Sequence, residues 1–90
     1  MAKIIIPTPL RKFTGNQAAI STNGNTIREA IVDLTNQHPD LKNHLLDATG
    51  QIRSFVRIFI GDEDILSLQK EETMVAESSI VSIVPAIAGG

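Results

Sequence analysis

The sequence predicts an α+β fold in which a mixed, curved sheet packs on one main helix, with an additional short helix. Three observations lead there. Ile27, Ala30, Ile31 and Leu34 recur at i, i+3, i+4 and i+7, which is one helical face. β-Branched runs precede and follow that helix, so strands flank it on both sides. Ninety residues with 42% apolar and 20% charged content make one small globular domain. In such a domain the apolar stripe of the helix must be covered by a sheet.

The elements follow in order. Ile4-Ile5-Ile6, closed by Pro7, reads as a strand. Pro7 to Asn16 holds two prolines and Thr14-Gly15-Asn16, so it reads as a turn region with Leu10 and Phe13 tucked beneath it. Gln17 to Ser21 alternates weakly and pairs back as a hairpin strand, and Asn23-Gly24-Asn25 is a turn. Thr26 and Glu29 have capping-box spacing at the helix start, and Pro39 ends the helix near Gln37 or His38. Arg28 and Asp33 are five apart and form no i,i+4 pair. Asp40 to Leu46 is the short helix, with Leu41, Leu45 and Leu46 inward, and Asp47 to Gly50 is a loop. Phe55 to Ile60 is the strongest strand, and Gly61 to Asp64 turns the chain. Ile65-Leu66 is expected to start a short returning strand. Leu68, Met74 and Val75 are expected to anchor the polar stretch from 67 to 78 in the core. Ser79 to Val84 is the last strand, closed by Pro85.

Two hairpin-like pairs around one helix give the β-grasp arrangement of ubiquitin-like proteins. A split βαβ fold would need a second full helix, and Asp40 to Leu46 is too short for one. Residues 1–85 are expected to form this domain, and 86–90 a flexible tail ending in Gly-Gly.

Composition narrows the function. The chain has no cysteine, which excludes a disulfide framework, a thiolate zinc site and a cysteine nucleophile. A net charge of −2 argues against nucleic acid binding. Lys3 to Pro7 is too short an apolar run for a signal peptide or a membrane span, and the protein is expected in the cytoplasm. His38 and His44 lack a third ligand, so no metal site is expected. Ser78, Ser79 and Ser82 have no histidine near them in sequence, and Asp62 and Asp64 read as a charged turn. The chain itself reads as non-catalytic.

Two places stand out. Alternation in the strong strand puts Val56, Ile58 and Ile60 toward the helix and Phe55, Arg57 and Phe59 away from it. In the last strand Val81 and Ile83 face the helix, leaving Ile80, Ser82 and Val84 outside. Phe55, Arg57, Phe59, Ile80 and Val84 are therefore the candidate partner-docking residues, because exposed apolar patches with Phe and Arg mark interfaces. The alternative is that a loop covers this face, or that the faces are swapped. The second place is the tail. Gly89-Gly90 follows the small residues Ala86-Ile87-Ala88. At average glycine usage a terminal pair arises in roughly 0.5% of chains. Glycine accepts any backbone conformation, so Ala86, Ile87, Ala88 and Gly89 suit threading into a narrow channel on another protein. Five residues reach about 17 Å when extended. The Gly90 carboxylate is the one chemically distinctive group, a poor electrophile until a partner activates it as an acyl-adenylate.

With these features the chain resembles the MoaD/ThiS-type sulfur carriers, and among them the carriers of a thiocarboxylate-dependent route to cysteine. The similarity runs from Ile6 to the end. It covers Pro7-Thr8-x-Leu10-Arg11, Thr14-Gly15-x-Gln17, Phe55-Val56-x-Ile58, Asp62-Glu63-Asp64-Ile65 and Val84-Pro85-Ala86-Ile87-Ala88-Gly89-Gly90. The resemblance implies that an E1-like enzyme adenylates Gly90 and that a sulfur donor converts it to a thiocarboxylate. It implies two further partners, a PLP-dependent cysteine synthase that takes the sulfur and a metallopeptidase that releases the cysteine. ATP, PLP and zinc then belong to those partners, and this chain binds no cofactor. Two other destinies stay open. As the small subunit of molybdopterin synthase the chain would pass sulfur to a pterin on the large subunit. As a ubiquitin-like modifier it would be joined through Gly90 to a lysine. Thiamin-route carriers are usually shorter, without an insert like Pro39 to Arg53. A plain β-grasp interaction domain would not need Gly89-Gly90 at all.

Overall fold

β-Branched Ile4 and Ile5 sit in the first strand, β1 (Ala2–Ile5), of a computed structural model that describes residues 2–53 and 55–85. Thr8–Phe13 then forms a 3-10 helix where an irregular turn was expected. Proline near its start presets the backbone, and Arg11 Nε ties it down by donating to the Ile6 carbonyl at 3.0 Å. Leu10 is buried and Phe13 packs against the core, as the sequence predicts. Strand β2 (Ala19–Thr22) returns antiparallel to β1, with Ile4 opposite Ile20.

The main helix, α1 (Ile27–Gln37), starts at the predicted cap. The Thr26 hydroxyl accepts the Glu29 N–H at 3.2 Å. The Glu29 carboxylate reaches one residue further back than a capping box requires and accepts the Asn25 N–H at 2.7 Å. Ile27, Ala30, Ile31 and Leu34 are all buried. Arg28 leaves the helix surface to pair with Glu71 and Glu72, at 3.4 and 3.1 Å. After His38, Pro39–Leu41 makes a 3-10 turn that runs into the short helix α2 (Lys42–Leu45). Leu41, Leu45 and Leu46 face the core.

Strands β3 (Val56–Ile60), β4 (Glu63–Asp64) and β5 (Ile80–Pro85) complete a five-stranded sheet in the order β2-β1-β5-β3-β4. β1 and β5 run parallel at its centre, and the other neighbours are antiparallel. The sheet is therefore mixed, with α1 against one face.

Two expectations fail. Ile65-Leu66 does not start a strand, because the returning strand is Glu63–Asp64 and Ile65–Ser67 is a 3-10 turn. The cause is Asp64, whose carboxylate accepts the Leu66 N–H at 2.9 Å and so offers the backbone a local partner in place of a ladder. Leu68 and Met74 are not core anchors: they are 39% and 66% exposed. The chain near Met74 is extended, held by the Thr73 carbonyl to Ile27 N–H and by the Val75 N–H to the Asn25 carbonyl. Alternation turns Thr73 and Val75 inward and Met74 out. Leu68 follows a 3-10 turn whose inward position is taken by Ile65.

Candidate functional site

The sheet has one face under α1 and one face away from it. Val56, Ile58, Val81 and Ile83 are buried on the helix side, and Ile60 packs at their margin. Residues of the other parity point outward. Phe55, just before β3, is 43% exposed, Ile80 45% and Val84 46%. Arg57 is exposed and Phe59 half-buried. The ladder brings the two outer rows together: Arg57 lies opposite Val84, and Phe59 opposite Ser82. Four of the docking candidates, Arg57, Phe59, Ile80 and Val84, therefore share one surface, with the face assignment that alternation predicts, while Phe55 stands exposed in the turn just before β3.

Two contributions to this surface were not read from the sequence. β1 joins it through parallel pairing, which sets Lys3 opposite Ile80 and Ile5 opposite Ser82. Nothing local in a sequence announces a pairing between its two ends. Asp64 is the other. It was read as part of a charged turn, yet it lies opposite Phe59 and its Oδ2 accepts from Arg57 Nη1 at 3.0 Å. The signal available was the tight turn at Gly61, which brings residues seven apart onto adjacent strands. The Asp64 carboxyl is held below the usual carboxylate range, first by the Leu66 N–H and then by the Arg57 guanidinium. It is thus a fixed anion, bonded on both oxygens.

The predicted sulfur-bearing Gly90 and the threading residues Ala86, Ile87, Ala88 and Gly89 lie outside the described residues. Pro85, the last described residue, is paired with Val56. β5 therefore ends in the interior of the sheet, beside the start of β3. His44, one of the two histidines weighed as ligands, packs its ring on Phe13 with centroids 4.5 Å apart. Two clefts meet at Ile52 on the helix side, each of about 100 Å³. Ligand pockets usually span about 300–1,000 Å³, so these two are small for one, while wider surface clefts of about 290 and 350 Å³ at Asn23 and Gly24 reach only the lower end of that range.

The model of the ThiS family matches residues 4–90. The chain belongs to the ThiS family. It is 36% identical over 89 residues to the sulfur carrier protein CysO of Mycobacterium tuberculosis H37Rv, a match covering 97% of this chain and 96% of the relative. Among solved structures, a chain of the Amycolatopsis orientalis BexX/CysO complex superposes with a TM-score of 0.90 at 30% identity, covering all of both chains. Mycobacterium tuberculosis CysO superposes with a TM-score of 0.87 at 32% identity, over 97% of this chain and 100% of that one. Small archaeal modifier protein 1 from Methanosarcina acetivorans reaches 0.89 at only 22% identity, over 99% and 95%, and so shows the shared fold alone. The ThiS-family fold seen here is the ubiquitin-like β-grasp, as the element order predicts.

Proposed function

We propose that the chain is a sulfur carrier whose Gly90 carboxylate is adenylated and converted to a thiocarboxylate that donates sulfur for cysteine biosynthesis. One observation carries this reading: 36% identity to a sulfur carrier over nearly the whole chain, within a family match that extends to Gly90. A Gly90 carboxylate oxygen attacks the α-phosphorus of ATP and pyrophosphate leaves. Sulfide then attacks the acyl carbon, a C–S bond forms, the C–O bond to AMP breaks, and AMP leaves. An E1-like enzyme performs both steps, so the chain acts as a co-substrate and not as an enzyme. In a PLP-dependent cysteine synthase the thiocarboxylate sulfur replaces the leaving group on the β-carbon of an activated serine, the Gly90 acyl group shifts from that sulfur to the amino nitrogen, and a metallopeptidase hydrolyses the resulting amide to free cysteine and restore the Gly90 carboxylate. We assign the route to the cytoplasm.

The body serves recognition in this reading. Phe55, Arg57, Phe59, Ile80 and Val84 form the docking face, while Ala86 to Gly89 carry Gly90 into the partner's active site. A relative solved as a BexX/CysO complex supports stable engagement of a second protein. The test is intact-mass analysis of the purified chain with an E1-like enzyme from the same genome, ATP and sulfide. The expected result is a mass gain of one sulfur-for-oxygen exchange, located at Gly90. No gain with any such enzyme, or a Gly90 adduct on lysine as the main product, overturns the reading. Cysteine formed on adding the PLP-dependent synthase identifies the acceptor. Sulfur passing to a pterin on a molybdopterin synthase large subunit would refute the cysteine assignment.

A further inference from the structure

We propose that the protein docking on the outer sheet face presents carboxylates to Arg57 and Lys3, and that Asp64 is the positioning residue that holds Arg57 ready for them. This rests on the carrier reading and adds the partner's chemistry to it.

The first argument is the charge layout. The chain carries a net −2, yet the outward positions of its strands hold two cations, Lys3 and Arg57, and one acid, Asp64. That acid is already bonded to Arg57. Glu71 and Glu72 pair instead with Arg28 of α1, on the helix side. The outward strand positions, two cations against one acid, therefore carry a net +1 while the chain as a whole carries −2. A local excess of that sign favours an acidic partner surface at this face.

The second argument is geometry. Lys3 lies opposite Ile80 and Arg57 opposite Val84, so the cations flank β5 from either side. Four residues of strand separate them along its axis, about 13 Å. Apolar Ile80 and Val84 lie beside them, with Phe55 and Phe59 on the β3 side. A complementary surface is therefore apolar at its centre and acidic at two margins.

The third argument is the state of Arg57. A guanidinium has five N–H donors in a planar fork suited to carboxylates. Asp64 engages Nη1 only, at 3.0 Å, and the Arg57 side chain remains 54% exposed. Among the described residues, its other N–H groups have no partner. Asp64 itself is fixed by the Leu66 N–H. A held guanidinium loses less freedom when a second carboxylate arrives, and preorganisation of that kind raises affinity.

The test measures E1-dependent, ATP-dependent thiocarboxylation by intact mass, over a range of chain concentration, at about 50 and about 300 mM NaCl. Variants are Arg57→Glu, Arg57→Gln, Lys3→Glu and Asp64→Asn, each shown by circular dichroism to be folded at the assay temperature. For the wild type, KM for the chain should rise with salt. Arg57→Glu should raise KM by on the order of tenfold at low salt, with kcat recovered at saturation and the salt dependence reduced. Lys3→Glu should act the same way more weakly, and Asp64→Asn should raise KM by a few-fold, with Arg57 present but unheld. If the wild type is converted while Arg57→Glu and Lys3→Glu both keep KM within about twofold of it, the acidic-partner inference is wrong and the carrier reading stands. If Asp64→Asn leaves KM unchanged while Arg57→Glu raises it, the positioning role is wrong. If the wild type gains no sulfur, the carrier reading itself has failed.

Discussion

Ile83 and Val84 are neighbours on β5 that face opposite ways, so replacing each by alanine separates folding from docking. Ile83 is 3% exposed, pairs with Ile58 across the ladder and lies in the core beneath α1. Truncating a buried isoleucine to alanine costs about 2–5 kcal/mol, because transfer free energy is lost and a cavity remains. A domain of ninety residues unfolds with an entropy of about 0.19 kcal/mol/K near its midpoint. A loss of about 3 kcal/mol then lowers Tm by about 16 °C. Val84 is 46% exposed, so roughly half of its side chain is already in water. Removing its two methyl groups costs about 0.8 kcal/mol, or about 4 °C. Function should move the other way. Ile83→Ala should keep a near-normal KM for the E1-like partner at temperatures where it is folded, while Val84→Ala should raise KM several-fold. Thermal unfolding followed by circular dichroism gives Tm, and intact-mass conversion rates give KM. Equal Tm losses, or a KM effect confined to Ile83→Ala, would refute the assignment of faces.

Deleting Gly89-Gly90 should abolish the mass gain and change Tm by less than about 2 °C, since every buried apolar residue of the described core lies between Ala2 and Ile83; a larger fall, or retained conversion, contradicts the tail's proposed role. Thr26→Ala should cost about 1 kcal/mol by removing the acceptor of the Glu29 N–H, measured by urea unfolding, and Thr26→Ser should restore it. Stability should also fall in acid. Asp47, lowered chiefly by the Thr49 hydroxyl, and Asp64, lowered chiefly by the Leu66 N–H, both have folded pKa values below their unfolded ones. Their contribution is fully present above the unfolded value of roughly 3.9 and is lost as pH falls through the lower folded values. The double variant Asp47→Asn, Asp64→Asn should therefore show a shallower loss of Tm between about pH 4 and pH 2, and an unchanged slope would reject this cause.

Much of the fold was legible because its strongest signals are local. The apolar stripe from Ile27 to Leu34 and the Thr26 cap define α1 with no tertiary information. Alternation in Phe55 to Ile60 and in Ile80 to Val84 gives both faces of the sheet. The failures have separate causes. The 3-10 turns at Thr8–Phe13, Ile65–Ser67 and Lys70–Glu72 are too short to leave a periodic pattern. Leu68 and Met74 were expected inside because they are large and apolar, yet single exposed hydrophobics are ordinary on a protein surface. The register of β1 against β5, which brings Lys3 beside Ile80, joins residues far apart in the chain and depends on how the whole sheet closes.

The outer face follows from the size of the domain as much as from its role. One main helix and its short companion cover one face of a five-stranded sheet, and among the described residues no helix lies on the other. An uncovered apolar sheet face invites self-association, and sheet edges do so as well. Here β4 is only two residues long, and β2 turns Ala19 and Ser21 outward, so neither edge offers a long apolar template. Lys3 and Arg57 break up the face itself. On the proposed reading, the cations that select an acidic partner also disfavour pairing of this face with its own copy, since like-charged faces repel. On the proposed reading, a partner bound to this face holds β5, the central strand that ends at Pro85, and takes the tail from there. Docking residues should therefore act on KM, and the last two glycines on the chemical step.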